Sequence, residues 1–249
     1  MALMCSSYKF RICSSTVAAA ARFCRGLAGN DGAGCTRLLG RTRPICTSSS
    51  NFQSDSSPPI SHFPIPDRDT LPDDLQEVMD QVEEKGGFLP NVFKMLSYHP
   101  DSFRSFFKYY DVLMEDSGGN LTKADKEMIV VATSSVNNCM YCIVAHSALH
   151  RIYSKNPTLA DEIVANEHMA AVDSRQRAIL DLALAVCKNE PITEEHFSNL
   201  EAHGLDQKDA FMVGSVAAFF AMSNRLAHLT SCRPNKEFHL LGRIPREKK

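Results

Sequence analysis

The chain has no apolar run long enough to span a bilayer. Its longest, residues 211–222 of 249, has the length of a buried helix. It also has no clustered stripe of lysine and arginine, which leaves no footing for nucleic acid. Acids are nearly missing from the first fifty residues, where Lys9, Arg11, Arg22, Arg25, Arg37, Arg41 and Arg43 face a single Asp31. Ser, Ala, Thr and Cys fill most of the rest of that segment. A secretory signal needs an unbroken apolar core, and the short run at 17–21 meets Arg22 and Arg25 at once. Secretion is excluded, and the composition points to an organelle transit segment, mitochondrial first with plastid as the alternative. Setting those seven bases and one acid aside from totals of 27 and 29 leaves 20 and 28, a formal net charge of −8.

Cysteine is scarce in that acidic body. Five of the nine (Cys5, Cys13, Cys24, Cys35 and Cys46) lie in the transit segment, leaving Cys139, Cys142, Cys187 and Cys232. So few thiols exclude a disulfide framework and fit a reducing compartment, where paired cysteines tend to be catalytic or metal-binding. Strand-type alternation bounded by hairpin turns is absent, as is any clear internal repeat.

What remains reads as helix. The order is a transit segment over 1–48, a Ser/Pro-rich linker over 49–69, one all-α domain of about nine helices over 70–241, and a basic tail over 242–249. Leu75, Val78, Met79 and Val82 recur at helical spacing before Gly86-Gly87. Phe103, Phe106, Phe107 and Tyr110 form an aromatic stripe that belongs to a core. Thr122 and Asp125 make a box-like helix start, and Asn137 or Asn138 can cap the helix that Cys139 opens. Further helices are expected near 157–167, 174–188, 193–203 and 206–231.

The chemistry concentrates in C-M-Y-C-I-V-A-H at 139–146. At about 100° per residue, Cys139, Cys142 and His146 fall within roughly 60° of one another on a helix. Two thiols at a helix start gain from the unpaired N–H groups and the positive dipole end, which favour a thiolate. Such a thiolate can open the O–O bond of a peroxide, become a sulfenic acid and condense with the second thiol. His146 can serve as the base. Zinc is one rival, with Cys187 or Cys232 as a fourth ligand, but no second ligand cluster exists. A structural pair of buried thiols is another. A thioredoxin fold needs a βαβ pattern that is missing. No metal and no cofactor is expected. His150 reads as a solvated helix histidine, and Asn224-Arg225, interrupting an apolar helix, as a subunit contact or structural bridge. Cys187 and Cys232 read as core or surface residues.

The pattern Glu127-x11-Cys139-x2-Cys142-x3-His146 resembles the motif of AhpD-like alkylhydroperoxidases, within the carboxymuconolactone decarboxylase-like superfamily. The stretches F-L-P-N-V-F-K-M-L-S at 88–97, N-N-C-M-Y-C-I-V-A-H at 137–146 and F-F-A-M-S-N-R-L-A at 219–227 resemble its peroxidase-related branch. The resemblance implies an all-α fold in homotrimers or hexamers and reduction of hydroperoxides. It implies Cys142 as the peroxidatic residue, Cys139 as its resolving partner, and His146 with Glu127 as a proton relay. It also implies a dithiol reductant, dihydrolipoamide or a thioredoxin-like protein. AhpD proteins carry histidine just before the second cysteine, where this chain has Tyr141, so a shorter relay is expected. The same pair without peroxide specificity would make a general thiol–disulfide oxidoreductase. Without redox chemistry the chain would be a zinc-holding helical assembly module. The decarboxylation or lactone chemistry of the superfamily name gives the C-x-x-C pair nothing to do.

Overall fold

A computed structural model of the chain describes residues 58–115 and 119–243. The expected transit segment, the linker up to residue 57 and the last six residues lie outside the described residues. Among those described there are nine α-helices and no strand. They are α1 (Asp73–Gly86), α2 (Asn91–Leu96), α3 (Pro100–Met114), α4 (Lys123–Val136), α5 (Met140–Ser154), α6 (Leu159–Asn166), α7 (Ser174–Lys188), α8 (Glu194–Ala202) and α9 (Gln207–Thr230). The all-α expectation holds, and each expected helix is present.

Local chemistry explains where they start and stop. Asp73 and Asp74 sit in the first turn of α1, where the dipole favours acids, and Gly87 ends it with φ of 80°. Capping boxes open four helices: Thr122 with Asp125 on α4, Asp173 with Gln176 on α7, Thr193 with His196 on α8, and Asp206 with Asp209 on α9.

The helices organise around α4. Every residue from Asp125 to Ser134 is buried, and burial on all sides marks a central helix. A turn of three residues joins α4 to α5, so the two lie antiparallel. Helices α6, α7 and α9 cover the other sides of α4. Met128, Ile129 and Val131 share one core with Ile179 and Leu180 of α7 and Val213, Val216 and Phe220 of α9. Burial of each such large side chain is worth about 1.5–3 kcal/mol. The aromatic stripe serves packing as its spacing predicts. Phe107 stacks on Phe93 at 4.2 Å, and Phe106 meets Phe219 at 4.8 Å.

Both ends of the domain are more firmly attached than the composition suggests. Within the stretch expected as linker, residues 60–62 lie against the C-terminal end of α9, and Arg68 pairs with Asp80 and Glu83 of α1. His62 N–H donates to Thr230 O at 2.6 Å, and Arg233 N–H donates to Ile60 O at 3.0 Å. At the other end, Arg243 of the basic tail makes two bonds of 2.8 Å to Asp161. Helix α9 is long and apolar enough to cross a membrane by length and composition alone, and half of its apolar window is buried in this domain. Phe211, Met222 and Leu229 are exposed on it.

Asp125 acts in two places at once. It closes the α4 capping box and receives Arg175 at 2.9 and 3.0 Å. Asp125→Ala is expected to lower stability by about 2–3 kcal/mol, since cap and partly buried pair are lost together. A shift of the denaturant midpoint at unchanged slope measures this, and a loss under about 0.5 kcal/mol contradicts it.

Candidate active site

The turn between α4 and α5 builds the site. Asn137 is the last residue of the α4 turn, and Asn138 takes φ of 53°, a left-handed conformation that asparagine tolerates. Cys139 then occupies the N-cap position of α5. Neither asparagine caps α5, contrary to expectation: Asn137 has turned back toward α9, and the Cys139 side chain accepts no capping bond of the usual kind. The first-turn donors are left facing sulfur, and the nearby backbone N–H of Cys142 helps to hold the Cys139 pKa down.

Both thiols are free and buried, at 2 % exposure each. The Cys142 thiol hydrogen-bonds to Cys139 and is the main reason that the Cys139 pKa falls to about 6. Burial opposes the fall. The Cys142 N–H, the Asn224 side chain and the charge of His228 reinforce it. The same hydrogen bond to Cys139 pushes Cys142 well up, followed by burial and the Cys139 charge. Asn224 and Ser223 hydrogen-bond to Cys142 and act against that rise. The pair therefore gives up one proton readily and holds the second, with the charge centred on Cys139.

Asn224 forms a structural bridge, one of the two roles its sequence position suggests, and does so beside the reactive pair. It is fully buried, and its amide lowers the pKa of both thiols. Its Nδ2 donates to Ser134 Oγ at 3.0 Å, and its Oδ1 accepts from Asn137 Nδ2 at 2.9 Å. The signal was present: a polar Ser223-Asn224 step in an apolar helix must find buried partners. Its neighbour Arg225 is exposed and bonds its own helix at Ala221 O.

Cys187 is buried beneath the turn, 3.4 Å from Asn137 Nδ2. Cys232 is buried in the core, within the expectation, and also borders the site. It lines a cleft of about 230 Å³ together with Cys139, Met140, His228 and Arg233. Burial and the nearby Cys139 push its pKa up to about 12, so it stays a thiol. His150 also departs from expectation, at 1 % exposure. Packing of α5 against α4, α6 and the C-terminal turn encloses it, and burial lowers its pKa to about 4. Its Nδ1 has no hydrogen-bond partner among the described residues.

His146 and Glu127 meet across α4 and α5, Nδ1 to Oε2 at 2.7 Å. Both are buried, and the Phe220 ring meets the imidazole edge-on at 4.7 Å. A carboxylate on Nδ1 fixes the ring and leaves Nε2 as the proton acceptor. Tyr141 takes no part in this pair. Its hydroxyl accepts from Val92 N–H at 3.2 Å, anchoring α2. No three His, Cys, Asp or Glu side chains converge as metal ligands among the described residues.

A family model, carboxymuconolactone decarboxylase, matches residues 100–186. A peroxidase-related protein with an alkylhydroperoxidase AhpD core, from Ralstonia eutropha JMP134, is 48 % identical over 76 % of this chain and all of its own, with a TM-score of 0.74. A peroxidase-related protein from Silicibacter sp. TM1040 is 34 % identical over 77 % of this chain and all of its own, at 0.69. The debrominase Bmp8, at 20 % identity over 74 % of this chain and 96 % of its own, shares the fold with a TM-score of 0.58. No curated protein matches the sequence. The chain belongs to the AhpD-like group of the carboxymuconolactone decarboxylase superfamily.

Alkylation reports the shared proton. Above pH 6 the pair carries its thiolate, and below it the proton returns, so iodoacetamide labelling of Cys139 should fall about tenfold per pH unit below 6 and level off above. Asn224→Leu removes a donor to the thiolate and should move the midpoint upward. Peptide mass spectrometry across pH 4–9 measures both, and a midpoint above pH 8 in the unmodified protein contradicts the assignment.

Proposed function

We propose that the chain is a thiol peroxidase that reduces hydroperoxides through a Cys139–Cys142 sulfenic acid and disulfide cycle. The observation that carries this reading is that Cys139, its pKa lowered by the neighbouring Cys142 thiol, lines a cleft. The thiolate attacks the terminal oxygen of R–O–O–H, forming an S–O bond as the O–O bond breaks. Sulfur loses two electrons, and the leaving alkoxide takes a proton to become an alcohol. The second thiol displaces hydroxide from the sulfenic acid, giving a disulfide and water. A dithiol, dihydrolipoamide or one on a thioredoxin-like protein, then returns both sulfurs to thiols. His146, held by Glu127, is the base assigned to the proton transfers.

The resemblance assigns the attack to Cys142. The cleft and the charge distribution favour Cys139, with Cys142 resolving; both orders end in one disulfide. A general thiol–disulfide oxidoreductase is the second reading, favoured by the acidic Cys139 alone, and it implies negligible peroxide turnover. The basic, acid-poor presequence supports import into mitochondria. The exposed Phe211, Met222 and Leu229 support assembly into trimers or hexamers.

Peroxide consumption with a dithiol donor tests the proposal. Cys139→Ser and Cys142→Ser should each reduce turnover below about 1 % of the unmodified rate. After one equivalent of peroxide, Cys142→Ser should trap a sulfenic acid on Cys139. Trapping on Cys142 in Cys139→Ser instead restores the order implied by the resemblance. An unmodified protein that consumes no peroxide overturns the function.

A further inference from the structure

We infer that the cleft over Cys139 selects hydroperoxides that carry a carboxylate, with Arg233 as the anion-binding residue and His228 beside it. This rests on the peroxidase reading and names the substrate class of that site.

The argument begins with charge. Outside the first fifty residues acids outnumber bases by 28 to 20. Yet no acid is found among the described residues that line the cleft, which hold Arg233 and His228 next to the reactive sulfur. An acid-free basic mouth in an acidic protein concentrates anions where the chemistry occurs.

Arg68, Arg104, Arg175, Arg177 and Arg243 are each ion-paired. Arg233 shares with Arg225 the lack of a carboxylate partner among the described residues, but of the two only Arg233 lines the cleft. Its backbone is nonetheless held on both sides. Its N–H donates to Ile60 O at 3.0 Å, and its carbonyl accepts from Asn91 Nδ2 at 2.9 Å. A guanidinium on a fixed backbone, unpaired and facing a cleft, is prepared for a planar carboxylate. His228 donates Nε2–H to Asn137 O at 3.0 Å, so its ring is held in place as well.

The reaction gives this charge a purpose. An anionic substrate approaches a thiolate against repulsion, and two basic side chains at the entrance offset that. Hydrogen peroxide carries no charge and has no use for them. Met140, 53 % exposed, adds apolar surface for a hydrocarbon portion. The cleft is smaller than the roughly 300–1,000 Å³ of drug-sized pockets. A substrate larger than the cleft leaves part of its hydrocarbon chain in solvent.

The test uses the pre-reduced full chain in single-turnover oxidation, without reductant, followed by loss of free thiols. The probes are a hydroperoxy fatty acid and its methyl ester. The acid is expected to oxidise the pair about 5–10-fold faster, an advantage that shrinks as salt rises. Arg233→Gln should bring the acid-to-ester ratio to about 1, and Arg233→Lys should keep part of it. Equal rates for acid and ester, or an unchanged ratio in Arg233→Gln, overturn the inference. So does charge discrimination confined to the reductive half-reaction, read with dihydrolipoic acid against dihydrolipoamide, which would assign the anion to the reductant. A protein oxidised by neither hydroperoxide fails the peroxidase reading itself, whereas one oxidised equally by both fails only the selection.

Discussion

Two sulfurs sharing one negative charge at the buried start of α5 set the terms for the structure around them. Burial alone would drive both thiols neutral, so the charge persists only while donors face it. Those donors come from separate parts of the chain: the Cys142 thiol and backbone N–H from α5, and Asn224 and Ser223 from α9. The left-handed Asn138 turn is what brings Cys139 to the helix start facing them. Helices α4, α5 and α9 must therefore keep their relative positions, and the packing of Met128, Ile129, Val216 and Phe220 holds them there.

A second polar system lies deeper. Helix α4 buries Asp125, Lys126 and Glu127 in succession, and each has a bonded partner: Arg175, the Glu115 carbonyl and His146. Burying three charged residues in a row is costly unless every one is paired, and removing one partner exposes the full penalty. Asp125 stabilises the helix start, whereas Glu127 orients an imidazole. Adjacent carboxylates on one helix thus serve stability and chemistry separately, because they face different neighbours.

The helices were legible in the sequence because their signals are local. Thr122 with Asp125, the glycines at 86–87 and the 75–78–79–82 spacing each act within a turn or two. The shared helix face of Cys139, Cys142 and His146 was readable for the same reason, whereas Glu127 came from the resemblance, and the structure pairs it with His146. What was missed depends on contacts far apart in the chain. Asn224 reaches Asn137 across 87 residues, and nothing near it indicates which element it meets. His150 looked solvated because its own helix face is mixed, but the C-terminal turn that helps to enclose α5 lies about 90 residues away. Cys232 has no motif, and only the end of α9 returning to the α5 turn brings it into the cleft.

The strip of chain at 60–62 limits how far the chain can be shortened. Through Ile60 O and His62 N–H it is stitched to Arg233 and Thr230, so it braces one wall of the opening above Cys139. Proline-rich composition makes this strip look expendable, like the residues before it. A shortened chain must begin ahead of Ile60 to leave that brace intact. Trimming past it would free the backbone of Arg233 on one side while sparing every residue of the C-x-x-C motif.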